Sequence, residues 1–231
     1  MAAKNSVKIY AENTIYHVYN RGVEKRKIFL DEQDYKVFLS YLREYLSPPP
    51  KPEDINKKMF RLRDRIFEAV PRLPKNYFNQ IDLLAYCLMP NHIHLLIRQS
   101  DNRDSIKEFT HSLFLRYSMY FNKKYNRVGS LFQGKYKAII VMDESYLLHL
   151  SRYIHINPLE YTEDLINAYS SFAEYLGIRS TNWIKPDLIL SYFENQNQKM
   201  SFDFKHINTY KKFVENYIKE NSDLINDLKL E

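Results

Sequence analysis

The chain reads as an α+β fold of the ferredoxin-like type: a β-α-β-β-α-β antiparallel sheet with its helices on one face, followed by an added helix and a helical C-terminal extension. Three observations predict it. Residues 14–22, TIYHVYNRG, alternate apolar and polar positions, close at a glycine and lead into an amphipathic run. Residues 83–99, LLAYCLMPNHIHLLIRQ, set two apolar runs on either side of a Pro90-Asn91 turn signal, the pattern of a β-hairpin. A second long amphipathic run and a further apolar stretch complete the order strand, helix, strand, strand, helix, strand.

Each element has its own signal. After the first strand, Asp31 is a good N-cap for a helix over residues 32–46, where Tyr35, Phe38, Leu39, Leu42 and Leu46 recur at helical spacing. The proline-rich run from Ser47 stops that helix and opens an insertion of about residues 47–79. Within it, residues 53–70 are densely charged and helical in pattern, which predicts an exposed helix broken at Pro71 and Pro74. The hairpin strands then cover about 80–89 and 92–98. Residues 105–125 carry Ile106, Phe109, Leu113, Tyr117 and Tyr120 at helical spacing, with Lys107, Arg116, Lys123 and Lys124 on other faces, where they could lie beside a phosphate backbone. GKYKAIIV, residues 134–141, supplies the fourth strand.

Asp143 caps the added helix, which runs through ESYLLHLSRYIHIN to Pro158. His149, Tyr153 and Asn157 share one stripe of it, and Leu147, Leu150 and Ile154 lie opposite. Beyond Pro158 the signal weakens to a YSSFAEYL run, a helix over 186–193, a charged region from Asn195 and a last amphipathic helix near Phe213, Tyr217 and Ile218. The chain divides into a domain over residues 1–160 and a helical extension over 161–231.

Composition narrows the function. The lone cysteine, Cys87, sits in an apolar strand, so there is no disulfide framework, and a reducing, cytoplasmic setting is expected. No apolar stretch approaches the roughly 18 to 20 residues of a membrane span. With 34 Lys and Arg against 28 Asp and Glu the net charge is +6, which suggests nucleic acid without showing it. The 20 tyrosines and 14 phenylalanines are mostly core material, yet some could stack on unpaired bases. Only 4 glycines are present, which argues against a glycine-loop nucleotide site.

His92 and His94, spaced by one residue on a strand, project from the same face and form a plausible bidentate metal platform. The plain alternative is a pair of hydrogen-bonded surface or core histidines. With the Asn157 carbonyl as third ligand, the mixed nitrogen and oxygen set suits Mg²⁺ or Mn²⁺ working on a phosphodiester, with Zn²⁺ left open. Tyr153, one turn before Asn157, would be placed for in-line attack, provided that a cation or basic side chain activates its phenol. Its product, a phosphotyrosine ester, keeps the bond energy for rejoining.

Four blocks together resemble a known family: YHVYNRG (16–22), LMPNHIHLLI (88–97), GSLFQGKYKA (129–138) and SRYIHINP (151–158). The chain is similar to the single-tyrosine transposases with a His-hydrophobic-His metal motif, in particular the REP-associated tyrosine transposases related to the small insertion-sequence transposases. The resemblance implies a ferredoxin-like domain that cuts single-stranded DNA at hairpins, forming a 5′-phosphotyrosine and a free 3′ hydroxyl. It implies His92 and His94 as metal-binding histidines, Tyr153 as nucleophile and Asn157 as the third ligand. Asn20, Arg21, Gln133 and Lys135 lie in the matching blocks without an obvious core role and are expected to contact DNA. Relatives exist as monomers and as homodimers with exchanged catalytic helices, so either state is open. The competing readings are a non-catalytic nucleic-acid-binding protein on the same fold, a replication initiator or relaxase with the same metal motif, and a metal-dependent hydrolase using water.

Overall fold

The computed structural model describes residues 10–100, 104–194 and 209–221. In chain order these form β1 (Ile15–Arg21), α1 (Glu32–Leu46), β2 (Lys58–Leu62), β3 (Arg65–Ala69), β4 (Ile81–Met89), β5 (His92–Gln99), α2 (Ser105–Lys124), β6 (Lys137–Val141) and α3 (Glu144–Ile156). α4 (Phe172–Tyr175), α5 (Asp187–Glu194) and α6 (Tyr210–Glu220) follow. The main sheet has the order β4-β5-β1-β6 with every pair antiparallel, which is the expected ferredoxin-like arrangement. Asp31 and Asp143 cap α1 and α3 as expected, accepting from the N–H groups of Asp34 and Tyr146.

Strand alternation sorts the core into two. Ile93, Leu95 and Ile97 of β5, with Tyr16 and Val18 of β1, face α1 and α2 and bury against Phe38, Leu42, Phe109, Leu113 and Tyr117. The alternate residue Leu96, with Leu84 and Ala85 of β4, packs on the other side with Leu147, Leu150 and Ile154 of α3 and with Ile189 and Phe213 of the extension. That second face is therefore covered by α3 and by the C-terminal helices, more fully than a sheet with its helices on one face would be. The extension also covers the outer edge of β4: Leu88 donates to the Tyr169 carbonyl, Ser171 to Tyr86 and Lys185 to Leu83. A covered edge cannot template pairing with another chain.

Two expectations change. The helix predicted over residues 53–70 is instead the two-stranded ribbon β2-β3, with Phe60 opposite Phe67 and a two-residue Arg63-Asp64 connection in which Arg63 adopts φ +53°. Its apolar residues fit both periods, and no neighbour buries a helical stripe there, so the turn decides the structure. The fourth strand begins at Lys137 rather than Gly134, because the preceding loop runs along the end of β1: Gln133 donates to the Arg21 carbonyl and Val23 to that of Leu131. The charged region expected from Asn195 lies outside the described residues as far as 208. No helix among the described residues is long and apolar enough to cross a membrane.

Candidate functional site

β5 leaves the Pro90-Asn91 turn with His92 and His94 in its first three residues, at the end of the sheet where β1 finishes. Both rings lie on the face away from α1 and α2 and meet edge to face, with centroids 4.9 Å apart. Register brings three β1 side chains onto the same face, His17 opposite Leu96, Tyr19 opposite His94 and Arg21 opposite His92. α3 places the ring of Tyr153 5.7 Å from that of His94, and Asn157 follows directly at its C-terminal end.

His94 is only 6 % exposed, and its Nδ1 lies 2.8 Å from His17 Nε2. In the tautomer with the proton on His94 Nδ1, His17 accepts that bond and His94 Nε2 keeps its lone pair. This Nε2 is buried without a hydrogen-bond partner, a costly state for a polar atom unless a ligand meets it. On the neighbouring residue, His92 Nδ1 is 2.5 Å from Asn91 Oδ1, which leaves its Nε2 for another partner.

Burial, reinforced by His17 and His92 alongside, holds His94 well below the usual imidazole range. Burial brings His17 to about 4. It brings His92 to about 4 as well, with the Asn157 hydrogen bond opposing and the Arg21 charge assisting. All three rings are neutral near pH 7, the form whose lone pairs bind metals.

Asn157 is buried and donates its amide N–H to the Tyr153 carbonyl at 2.6 Å. Its Oδ1 end is thereby left for His92 or a ligand. Among the described residues no three His, Cys, Asp or Glu side chains converge on a metal-sized site. The donor set on offer is two neutral imidazoles and an amide oxygen, an incomplete shell that fits a divalent cation whose remaining positions a phosphate can take. Tyr153 is 48 % exposed, so its hydroxyl is open to a substrate. Partial burial raises its pKa, and the Asn157 hydrogen bond only partly offsets this. The protein alone leaves the phenol less acidic than a free tyrosine, and activation has to come from a bound cation or base.

The expected DNA contacts divide. Arg21 joins the site beside His92. Gln133 and Lys135 are exposed on the neighbouring loop, which is tied to Arg21 through the Gln133 N–H at 2.8 Å. Asn20 does not join it: it stands opposite Ile93, on the α1 and α2 face, is 7 % exposed, and accepts from the Arg21 N–H. Sequence reasoning missed His17, Tyr19 and Lys137, whose ammonium lies 5.5 Å from the Tyr19 ring centre. The period-two pattern of YHVYNRG carries the signal, because His17, Tyr19 and Arg21 necessarily share a face.

The back of α3 is anchored as firmly as its front is open. His155 is fully buried, with Nδ1 2.7 Å from Tyr210 Oη and Nε2 2.8 Å from Ser171 Oγ. The Arg152 guanidinium lies 3.8 Å from the centre of the Tyr217 ring and 4.3 Å from that of Phe213, a double cation–π contact with α6. The residues on either side of the tyrosine therefore hold the helix to the C-terminal extension.

Residues 57–157 match the family model for IS200-like transposases. The matched segment includes His92, His94, Tyr153 and Asn157, while β1, with His17, Tyr19 and Arg21, precedes it. Among solved structures, the chain is similar to a REP-associated tyrosine transposase bound to a REP hairpin, at 10 % identity and a TM-score of 0.51 over 79 % of this chain and 98 % of that one. At that identity the likeness establishes a shared fold. A candidate transposase from Deinococcus radiodurans R1 aligns over 65 % of this chain and 95 % of its own, at 15 % identity and a TM-score of 0.37. No curated protein matches the chain.

Proposed function

We propose that the protein is a transposase that cuts single-stranded DNA beside a hairpin with Tyr153 as nucleophile and rejoins the ends by strand transfer. The observation that carries this reading is the buried, unpartnered Nε2 of His94 beside a half-exposed Tyr153. The contrast with His155 sharpens it. Both imidazoles are deeply buried, but His155 bonds through both nitrogens whereas His94 bonds through one. A purely structural histidine at that depth satisfies both.

His92, His94 and Asn157 are the residues that would hold Mg²⁺ or Mn²⁺. Bound there, the ion supplies charge neutralisation at the scissile phosphate and favours the ionised phenol. Tyr153 Oη attacks phosphorus, the bond from phosphorus to O3′ breaks, and the phosphate stays joined to its 5′ carbon and to the tyrosine. The proton given up by the phenol is balanced by the one taken up by the departing 3′ hydroxyl. Reversal on another 3′ hydroxyl restores a phosphodiester without an outside energy source. Asn157 holds the end of α3 through the Tyr153 carbonyl, while Arg21 and Lys137 supply positive charge beside the site for the DNA backbone. A hairpin is the natural substrate to test, since the structurally similar REP-associated transposase is bound to one.

The test incubates the protein with an end-labelled DNA hairpin carrying an unpaired flank, in Mg²⁺ or Mn²⁺, and resolves the products on a denaturing gel. The expected result is a covalent protein–DNA adduct that Tyr153→Phe abolishes. Cleavage with no adduct would assign the attack to water. Binding without cleavage in either metal would leave the non-catalytic reading standing.

A further inference from the structure

The ribbon β2-β3 takes no part in the site, and its composition is unlike the rest of the chain. Residues 57–75 hold seven Lys and Arg against two Asp and Glu, a net +5 where the whole chain carries +6. Lys75 pairs with Glu108. Among the described residues, Lys57, Lys58, Arg61, Arg63, Arg65 and Arg72 pair with no carboxylate.

The ribbon is also unpartnered on both faces. Register puts Lys58, Phe60, Leu62, Arg65 and Phe67 on one side and Met59, Arg61, Ile66 and Glu68 on the other, and nearly every residue is exposed. An isolated two-stranded hairpin is marginal in water, so this one gains stability from whatever covers it.

From this charge and shape we infer that β2-β3 is a second DNA-binding surface, which enters the groove of the double-stranded stem next to the cleaved strand. The inference rests on the reading of the protein as a hairpin-processing transposase. A two-stranded ribbon is an element that the major groove of B-DNA admits, and unpaired arginines on both faces meet phosphates on both walls. Five-residue strands reach about 17 Å, roughly half a turn of duplex.

The base of the insertion fixes where this happens. The Asn76 side chain donates to the Glu44 and Ser47 carbonyls and the Tyr77 N–H to that of Tyr45, so the ribbon springs from the end of α1 and the start of β4. The histidines stand at the opposite end of the sheet, about 27 Å away along an eight-residue strand. A stem of one full turn, about 34 Å, spans that distance, and one of half a turn does not.

The experiment compares two labelled DNA hairpins with the same unpaired flank, one with a stem of about one turn and one with about half a turn. Affinity is measured by fluorescence anisotropy across a salt series, for the wild type and for Arg61→Ala/Arg63→Ala/Arg65→Ala. The wild type is expected to bind the long stem about 10- to 100-fold tighter, with a steeper salt dependence, and the triple variant to lose that difference along with about 2 to 3 from the salt slope. The corresponding triple lysine variant keeps the charge and is expected to retain most of the long-stem preference, which separates charge from fold. Thermal melting of both variants should match the wild type, because these side chains touch no core residue.

Equal wild-type affinity for the two stems overturns the inference, as does a variant that weakens both equally. Sedimentation adds a further arm: a wild-type dimer in the absence of DNA that the alanine variant dissolves would assign the ribbon to a second copy of the chain. Adduct formation on the short stem scores Tyr153 chemistry separately. An intact adduct with no stem-length effect sinks the ribbon alone, whereas absence of both binding and adduct sinks both readings.

Discussion

At the level of single residues, the most informative contact is between His17 and His94. His17 Nε2 lies 2.8 Å from His94 Nδ1, and when it accepts the proton of that bond it fixes the tautomer that leaves His94 Nε2, the nitrogen proposed to meet the metal, unprotonated. Outer partners of this kind typically matter about 10- to 100-fold in metal affinity. His17→Ala is expected to weaken Mn²⁺ binding by about that factor in calorimetry, and His17→Gln, which offers an amide oxygen to the same N–H, to recover part of it. Unchanged affinity in both variants would show that the His94 tautomer is set elsewhere. His92 and His94 were legible in the sequence because alternation alone puts them on one face. His17 and Tyr19 alternate just as clearly, but which strand pairs with β5, and in what register, depends on contacts some 75 residues away in the chain. Asn20 was misplaced for the same reason, since its position depends on β1 keeping Tyr16 and Val18 against α1 and α2.

At the level of elements, the start of α1 is fastened to the end of α2 by a network that titrates. Asp34 is fully buried and accepts from the Leu30 N–H, Lys124 Nζ, and the hydroxyls of Tyr120 and Tyr125. Burial pushes its carboxyl up, but the Lys124 ammonium and the other donors outweigh this and hold it below 3.8. A carboxylate depressed in the folded state contributes stability that is complete above the unfolded value and is lost as pH falls through the folded one. Asp34→Asn is therefore expected to cost about 1–3 kcal/mol at pH 7, with the gap in melting temperature from wild type narrowing as pH falls below about 3.8. A gap that stays constant down to acid unfolding would mean that the ionised carboxylate is not what holds the helices. The capping role of Asp31 was readable from sequence, because a cap is local. The ribbon was not. Met59, Leu62, Ile66 and Val70 satisfy a helical stripe as well as two strands satisfy alternation, and only the positive φ at Arg63 breaks the tie.

At the level of the whole molecule, the question is whether the site is built by one chain or two. α3 follows β6 after only two residues, Met142 and Asp143, a link that reaches about 7 Å at about 3.5 Å per residue. Its buried side is bound to its own chain through the His155–Tyr210 and Arg152–Tyr217 contacts, and its open side meets its own His94. Monomer and exchanged dimer are equally compatible with the sequence, because the choice rests on this packing and on the C-terminal helices, where the sequence signal is weakest. A site built in cis makes a definite prediction. Tyr153→Phe and His94→Ala each disable one half of the chemistry, and an exchanged dimer of the two would contain one composite site with both halves intact. Mixing the variants after co-refolding, with adduct measured on the labelled hairpin, is expected to yield no more than the sum of the two variants assayed alone. Recovery of adduct in the mixture would show that α3 does cross between chains, and that the anchoring through α6 yields when two copies meet.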